Sequence, residues 1–278
     1  MEIKEKFIIT ERKDIWLGSF PRLTEAGFTN ACSLRLNGAS MLVPGTFNLA
    51  LHVGDDKAMV LANRKRFAEA LGVRAESLTT CTQVHGRKVA VVTEELVGAG
   101  ASDYSQAIQD TDALITDLAN VPLLIFCADC VPLLFADPVR GVAGVAHAGW
   151  KGTVAAVAMA TVKAMQEHFN CCPENIVAAI APSIGSCCYE VDDAVFDEAS
   201  SWQRYFQNVP GKKGKYLFDM WGCNYEQLIA SGLLPENIIR SDVCTAHNNQ
   251  LFCSYRAENG ITGRMGICIF RQSTVENK

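Results

Sequence analysis

Regularly spaced apolar residues predict three helices. Between Asp55 and Leu71 they recur every three to four positions, with Asp55 or Asp56 as the N-cap and Gly72 as the stop signal. The stretches GTVAAVAMATVKAMQEHF and FDMWGCNYEQLIASG have the same spacing, the second with Asp219 as its N-cap. Helices are therefore predicted at 55–71, 152–169 and 218–232.

Short apolar runs between these helices predict strands. LTTCTQVHG and KVAVVT are two extended segments, which places His85 at a strand end. LLIFCADCVPLLFADP predicts two strands with a break at Ala128-Asp129, and GVAGVAHAGW predicts a buried strand that carries His147 near its C-terminal end. The elements do not follow a regular β-α-β order, so the predicted fold is α+β: a single layered domain over residues 1–278, with mixed β-sheets covered by helices.

The composition favours a cytoplasmic protein that acts on a small substrate. A chain of 278 residues with 49% hydrophobic residues can bury a large core, and its net charge of -5 provides no basic stripe for nucleic acid. The N-terminal segment MEIKEKFIITERKD does not resemble a signal peptide, and Asp129 and Pro132 interrupt the apolar run LLIFCADCVPLLF, so no membrane span is expected. The twelve cysteines are expected to be reduced and mostly buried.

Three residues are candidate metal ligands. His85 in QVHG and His147 in AHAGW each end an apolar run beside a glycine, and Cys130 occupies the ADC turn between two strands. Two imidazoles and a thiolate suit zinc, and three protein ligands leave a fourth position for water or substrate. Taken singly, a histidine at a strand end is more often a hydrogen-bonded structural residue, and a buried cysteine is more often inert. The spacing is not a general zinc signature, so the residues alone lead to a candidate site and no further.

Several other catalytic motifs are missing from the sequence. Cys127 and Cys130 form a Cys-x-x-Cys without a second copy, and Cys127 is interpreted as a core residue. No histidine has the glutamate two residues later that the zinc nucleobase deaminases use. The serine nucleophile elbow, the P-loop and the complete dinucleotide-binding glycine motif are also missing. Five histidines without a His-x-His cannot build the trinuclear centre of a multicopper oxidase.

An ordered series of motifs resembles the laccase-domain family, also called the YfiH and YlmD type. The series comprises FNLALHVGDD, QVHG, TDALITD, ADCVPLLFADP, AGVAHAGWKGT, APSIGSCCYEV and, near the C-terminus, SYR and TGR. The resemblance covers nearly the whole chain. It implies a layered α+β fold with mixed sheets and a metal site formed by His85, Cys130 and His147, with zinc as the expected metal and copper as the alternative.

The same resemblance implies an enzymatic activity. The expected reactions are phosphorolysis of adenosine, inosine, guanosine and methylthioadenosine, with deamination of adenosine at the same centre, so purine nucleosides and phosphate are the expected partners. The expected catalytic residues are His85, Cys130, His147 and Arg64. The expected substrate contacts are Asn48, His52, Lys151 and Arg256.

Phosphate is expected to bind to the cations Arg64, Arg256 and Lys151, although an arginine in the middle of a helix ordinarily lies on a solvated face. The exposed amides at the start of the helix after His147 are a further candidate for anion binding. The chain departs from the family pattern at two positions. Lys151 replaces a usual arginine, which keeps the charge but loses the bidentate fork, and Ala257 replaces a second basic residue after SYR.

Two other functions use the same residues. In a cysteine-dependent amide hydrolase, Cys130 would be the nucleophile and His147 the base. The resemblance to the family implies that such a hydrolase would edit peptidoglycan precursors. In a non-catalytic protein, the same site would store zinc or bind a nucleoside without turnover. The sequence does not separate these alternatives and does not predict an oligomeric state.

Overall fold

The computed structural model describes residues 6–273, which contain fifteen strands, six α-helices and several short 3₁₀ turns. The strands are β1 Ile8–Arg12, β2 Ile15–Ser19, β3 Phe28–Ser33, β4 Thr79–Thr80, β5 Val89–Val91, β6 Ala113–Thr116, β7 Leu123–Cys127, β8 Val131–Asp137, β9 Val142–Ala148, β10 Val177–Ile180, β11 Glu190–Asp192, β12 Phe206–Asn208, β13 Lys215–Phe218, β14 Ile238–Arg240 and β15 Met265–Arg271. The α-helices are α1 Pro21–Glu25, α2 Lys57–Leu71, α3 Trp150–Val154, α4 Val157–Phe169, α5 Asp193–Glu198 and α6 Met220–Ala230.

The strands form two mixed six-stranded sheets and one small antiparallel sheet. The first sheet has the order β1-β2-β3-β15-β7-β4 and is antiparallel except between β4 and β7. The second has the order β14-β10-β8-β9-β6-β5, with parallel pairs at both edges and antiparallel pairs in the centre. The third consists of β11, β13 and β12. The mixed sheets confirm the predicted α+β class.

The two large sheets pack face to face and helices cover their outer faces. Buried residues of both sheets, such as Ile125 and Ile267 in the first and Leu134 and Val145 in the second, form one apolar cluster between them. Helix α2 covers the other face of the first sheet, and α4 and α6 cover the other face of the second. This layering explains why β7, β8 and β9 are buried along their whole length.

Helix α2 begins and ends as predicted. The Asp56 side chain accepts a hydrogen bond from the Met59 amide as N-cap, and Gly72 adopts the left-handed conformation with φ of 74°. Helix α6 likewise begins at the predicted cap, where Asp219 accepts from the Gly222 amide. These signals are local, so the sequence is sufficient to place them.

The predicted helix over 152–169 is wrong in one respect, because the structure divides it into α3 and α4. Ala156 adopts a left-handed conformation with φ of 61° between them. The carbonyl of Val154 accepts from the Trp202 indole, and that of Ala155 accepts from the Arg87 guanidinium. Tertiary donors thus satisfy carbonyls that a continuous helix would use internally, which permits the break.

His85 does not lie at a strand end, so that prediction is also wrong. The strands β4 and β5 are short, and His85 lies in the loop between them with φ of 62°. The predicted break at Ala128-Asp129 and the position of His147 near the end of β9 are confirmed. Cys127 is buried in the apolar cluster between the sheets, as expected of a core residue. Within 6–273, no helix is both long and apolar enough to cross a membrane.

Strand β15 lies in the centre of the first sheet, so shortening a buried side chain there should destabilise the fold. Ile267 is 0% exposed and packs between the sheets. Ile267→Ala should lower the free energy of unfolding by about 3 kcal/mol through lost apolar contacts and a residual cavity. Urea denaturation measures this, with Val139→Ala as the control because Val139 is 68% exposed. Equal effects of the two substitutions would contradict the layered packing described above.

Candidate metal centre and substrate cavity

Three elements bring His85, Cys130 and His147 together. Cys130 lies in the turn between β7 and β8, directly before β8 begins. His147 lies on β9, which pairs with β8 so that Pro132 is opposite His147. His85 reaches the same point from the loop after β4. The ligand atoms of the three side chains all lie within 4.8 Å of one another, and we call them the three-donor site.

The spacing of these donors fits a tetrahedral metal ion. His85 Nε2 lies 3.8 Å from Cys130 Sγ. Ordinary zinc–nitrogen and zinc–sulfur bond lengths at a tetrahedral angle separate N and S by about 3.6 Å. The two imidazole rings are 4.8 Å apart between centroids and meet edge to face at 73°. With three protein donors, a fourth coordination position stays available for water or substrate.

Asp112 orients the site, and sequence reasoning missed its role. It directly precedes β6, its side chain is fully buried, and its Oδ1 accepts a hydrogen bond from His147 Nδ1 at 2.9 Å. Its carboxylate also accepts from the backbone amides of Val84, His85 and Gly86, at 3.3, 2.9 and 2.7 Å. Because Nδ1 is occupied, the Nε2 of His147 is the ring nitrogen left to face a metal.

The signal that could have revealed Asp112 is a carboxylate at the start of the buried run DALIT. A buried carboxylate requires a charged or hydrogen-bonding partner, which makes it a candidate for orienting a ligand. Burial raises the pKa of Asp112, but the hydrogen bond and charge of His147 and the amides of Gly86 and Val84 outweigh it, so the pKa lies below its ordinary value.

Cys130 and His147 stabilise each other's charged forms. Burial alone would raise the pKa of Cys130, but the charge of His147 and hydrogen bonds from His147 and His85 lower it to about 6. Burial alone would lower the pKa of His147, but the Cys130 thiolate and the Asp112 carboxylate raise it to about 9. The sulfur is therefore a thiolate near neutral pH, which is the form that binds a metal or attacks an electrophile.

Gly149 gives the three-donor site its space. A Cβ at this position would lie 2.6 Å from His85 Cδ2 and 3.1 Å from Cys130 Sγ, so any side chain would displace two of the three donors. Gly152 is similarly close to the carbonyls of Gly86 and His147. The sequence predicts a candidate anion site at the exposed amides of this helix start. The structure shows close packing instead, and α3 has five residues.

The site opens into a cavity of about 540 Å³, a size typical of small-molecule pockets. Aromatic side chains and two cations contribute to its wall beside the three donors: Phe126, Trp150, Tyr189, Tyr255, Arg256 and Arg264. Within the part of the chain that the structure describes, no carboxylate lies within the 4.0 Å ion-pair distance of either guanidinium. The cavity thus combines aromatic faces with two guanidinium groups that form no ion pair with the described residues, and Asp129 also lines it.

Each cavity arginine is held through its backbone. The amide of Arg256 donates to Asp129 Oδ2 at 2.6 Å, and the amide of Arg264 donates to Asn48 Oδ1 at 2.9 Å. Asn48 is fully buried, and its side-chain amide also donates to Ala50 and Asp55. Asn48 does not line the cavity. It is connected to the cavity wall through its hydrogen bond with the Arg264 amide. Arg264 is thus a cavity residue that was not predicted from the sequence.

The structure brings His52 to the cavity but not Lys151 or Arg64. The His52 ring lies 4.8 Å from the Tyr104 ring, and desolvation together with the charges of Arg264 and Arg64 lowers its pKa to about 4. Lys151 is exposed, with Nζ 5.4 Å from the centre of the Trp150 ring. The cavity wall includes Trp150 and not its neighbour Lys151.

Arg64 is not on a solvated face, so the expectation for a mid-helix arginine is wrong here. It is 1% exposed, and its guanidinium donates to the carbonyls of Leu49, Gly100 and Ala101. It also lies 4.9 Å from the centre of the Phe126 ring. Arg64 therefore ties α2 to two loops and supports one aromatic residue of the cavity.

Comparison with known proteins places the chain in a family. A family model described as multi-copper polyphenol oxidoreductase laccase matches residues 29–272. The chain belongs to this laccase family. The resemblance seen in the sequence motifs is thereby confirmed.

Several relatives in the laccase family carry names that refer to purine nucleosides. Purine nucleoside phosphorylase YlmD of Geobacillus stearothermophilus is 39% identical over 250 residues, which cover 89% of this chain and 91% of the relative. Adenosine deaminase RL5, from an unknown prokaryotic organism, is 32% identical over 81% of this chain and 87% of the relative. The crystal structure of hypothetical protein YfiH of Bacillus licheniformis superimposes with a TM-score of 0.91 at 32% identity, covering 97% of this chain and all of that one.

The charge coupling in this laccase-family site predicts a pH dependence for Cys130. In chelator-treated protein, alkylation by iodoacetamide should be slow at acidic pH and rise to a plateau with a midpoint near pH 6, because the thiolate is the reactive form. Asp112→Asn should move the midpoint upward, since His147 loses the carboxylate that stabilises its charge. Peptide mass spectrometry measures both, with exposed Cys172 as the internal control. A midpoint for Cys130 no lower than that of Cys172 would contradict the coupling.

Proposed function

We propose that this chain is a zinc-dependent purine nucleoside phosphorylase. Its proposed substrates are adenosine, inosine, guanosine and methylthioadenosine, with deamination of adenosine as a side activity. The observation that carries the proposal is the three-donor site, which opens directly into a cavity with aromatic faces and two arginines that form no ion pair within residues 6–273. The names of the relatives, purine nucleoside phosphorylase and adenosine deaminase, support the same substrate class.

Zinc is proposed because of the donor chemistry. His85 and His147 supply nitrogen and Cys130 supplies a thiolate, a set that zinc favours in sites with one open position. Copper is the alternative metal. The trinuclear centre of a multicopper oxidase, however, needs more histidines than the two that meet here. When bound, zinc would supply a Lewis acid that polarises the purine or a bound water.

The residues of the cavity divide the remaining work. The aromatic side chains of the cavity wall, of which Tyr255 is the most exposed, provide faces on which a purine base stacks. Arg256 and Arg264 bind the phosphate, because neither guanidinium forms an ion pair with a carboxylate of residues 6–273. His52 stays neutral because its pKa lies far below neutrality, so it contributes one hydrogen-bond donor and one acceptor to the base or the ribose.

The reaction follows from this arrangement. A phosphate oxygen forms a bond to ribose C1′ while the bond from C1′ to the purine nitrogen breaks. The electron pair of that bond stays with the base, which takes up a proton and leaves as the free purine. The products are the purine and ribose 1-phosphate. Arg256 and Arg264 favour the reaction by holding the phosphate next to the sugar, where its effective concentration is high.

Dependence on phosphate is the direct test of this function. Incubation of the purified protein with inosine should yield hypoxanthine and ribose 1-phosphate with phosphate present, and little hypoxanthine without it. Chromatography of both products measures the reaction, and His147→Ala should abolish it because it removes a metal ligand. Exposed His168→Ala is the matched control. Hypoxanthine formation at the same rate without phosphate would identify a nucleoside hydrolase instead.

A second candidate function is favoured by one observation. Cys130, His147 and Asp112 form a thiolate–imidazole–carboxylate series, the arrangement that cysteine hydrolases use. In an amide hydrolase acting on peptidoglycan precursors, the thiolate would form an acyl-enzyme. Intact-mass measurement with such a substrate should then show an adduct that Cys130→Ala removes.

For the phosphorylase, no adduct is expected, and Cys130→His should keep part of the zinc because imidazole also binds it. If neither a nucleoside nor an amide yields a product, the remaining candidate is a non-catalytic protein that binds zinc or a nucleoside.

The proposed phosphate site predicts a selective kinetic defect. Arg264→Gln should raise the KM for phosphate by about tenfold or more, because a charge-assisted hydrogen bond contributes about 1.5–3 kcal/mol. The KM for inosine should change much less. Initial rates at varied phosphate and inosine measure the two constants, and Arg74→Gln is the control because Arg74 is exposed and does not line the cavity. An equal rise in both constants would assign Arg264 to the nucleoside or to the cavity's shape.

A further inference from the structure

A second group of sulfur and nitrogen donors lies outside the three-donor site. Cys187, Cys188, Cys244 and His247 each offer one ligand atom, and these four atoms all lie within 4.8 Å of one another. We call this group the Cys3His cluster. None of its members belongs to the three-donor site or lines the cavity wall.

Two neighbouring parallel strands bring the Cys3His cluster together. Strands β10 and β14 are parallel, so the segments that follow them leave the second sheet at the same end of the two strands. A further bridge pairs Ser183 with Cys244, which aligns the two segments beyond the strands. Cys187 and Cys188 lie in the turn after β10, and His247 lies three residues after Cys244 in a turn. The spacing of Cys244 and His247 puts their side chains on one side of that turn.

The distances suit tetrahedral zinc. His247 Nδ1 lies 3.4 Å from Cys187 Sγ. Zinc bound by cysteine and histidine separates sulfur from nitrogen by about 3.6 Å and sulfur from sulfur by about 3.8 Å at tetrahedral angles. Every pair of the four donor atoms lies within 4.8 Å, which is within about 1.2 Å of these tetrahedral separations.

The backbone around Cys244 is shaped for a thiolate. The amide of Gly185 donates to Cys244 Sγ at 3.3 Å. Gly185 approaches so closely that a Cβ there would lie 3.2 Å from Cys187 Sγ. Amides aimed at a sulfur stabilise negative charge on it, as the hydrogen bonds around metal-bound ligands do.

Burial separates this cluster from ordinary core cysteines. Cys244 is buried, but Cys187 and His247 are exposed. A packing role explains a buried thiol and does not explain an exposed thiol and an exposed imidazole that converge on it. A disulfide would join only two of the sulfurs and would not explain why the imidazole lies beside them.

We propose that the Cys3His cluster is a second, structural metal site that binds zinc. Four protein donors fill the tetrahedral shell, which leaves no open position for a substrate and distinguishes it from the three-donor site. The ion would join the turn after β10 to the turn after β14. The carbonyl of Cys188 accepts a hydrogen bond from the Arg256 guanidinium, and Tyr189 follows directly, so the ion would also stabilise one side of the cavity wall.

Zinc content of paired variants tests the proposal. Mass spectrometric metal analysis of protein purified with reductant and dialysed should give two zinc ions per chain, one for each donor group. The double substitution His85→Ala and His147→Ala should leave one. The double substitution Cys187→Ser and His247→Ala should also leave one. The matched control Cys172→Ser and His168→Ala, at an exposed thiol and an exposed imidazole, should keep both.

Cobalt separates the cluster from the three-donor site even where a variant loses stability. Co²⁺ added to metal-free His85→Ala and His147→Ala protein should give strong sulfur-to-metal charge-transfer absorption together with the visible bands of tetrahedral cobalt. The further change Cys244→Ser should weaken the charge-transfer band, since one thiolate is lost. Circular dichroism of each variant checks its folding.

Three results would overturn the proposal. The first is a single zinc per wild-type chain that disappears with His85→Ala and His147→Ala. The second is cobalt bound to that variant without a charge-transfer band. The third is a disulfide between Cys187 and Cys244 in wild-type protein kept under reductant, detected by peptide mass spectrometry. None of these outcomes depends on turnover of a nucleoside, so the proposed function and this site fail independently.

Discussion

The Asp112 carboxylate accepts four hydrogen bonds, and the geometry of the three-donor site depends on them. One comes from His147 Nδ1, and three come from consecutive amides of the loop that carries His85. His85 adopts a left-handed backbone that costs a non-glycine residue free energy, and these amide contacts hold it there. A single buried charge thus fixes the ring orientation of one ligand and the backbone of another. Removing it would leave three amides and an imidazole without their acceptor.

The parts of the fold that could be predicted from the sequence are those determined by neighbouring residues. The caps Asp56 and Asp219, and the break before Cys130, follow from side chains within a few positions. The break at Ala156 could not be predicted, because the hydrogen bonds that permit it come from Trp202 and Arg87, far away in the chain. Local alanine propensity favoured a continuous helix, and tertiary contacts outweighed it.

The same limit applies to the two donor groups. The ligands His85, Cys130 and His147 could be proposed because each stands beside a glycine or a turn in an apolar run. Their orienting carboxylate is 35 residues from His147 in sequence, and only the fold shows that they meet. In the Cys3His cluster, Cys187 and His247 are 60 residues apart. A pair of adjacent cysteines and a distant Cys-x-x-His do not indicate a common site until β10 and β14 are known to be neighbours.

The proposed metal sites are connected through Asp129, which has consequences for how the cavity keeps its shape. Asp129 directly precedes Cys130, and its carboxylate accepts from the Thr245 hydroxyl at 2.6 Å and from the Arg256 amide at 2.6 Å. Thr245 follows Cys244 of the Cys3His cluster. One buried carboxylate therefore links a ligand of the first site, the neighbour of a ligand of the second, and a cation of the cavity. Because a buried hydrogen-bond network loses stability when one partner is removed, loss of the Asp129 carboxylate would leave the Thr245 hydroxyl and the Arg256 amide without this acceptor. A continuous path of hydrogen bonds and chain neighbours thus joins the two donor groups, although they share no residue.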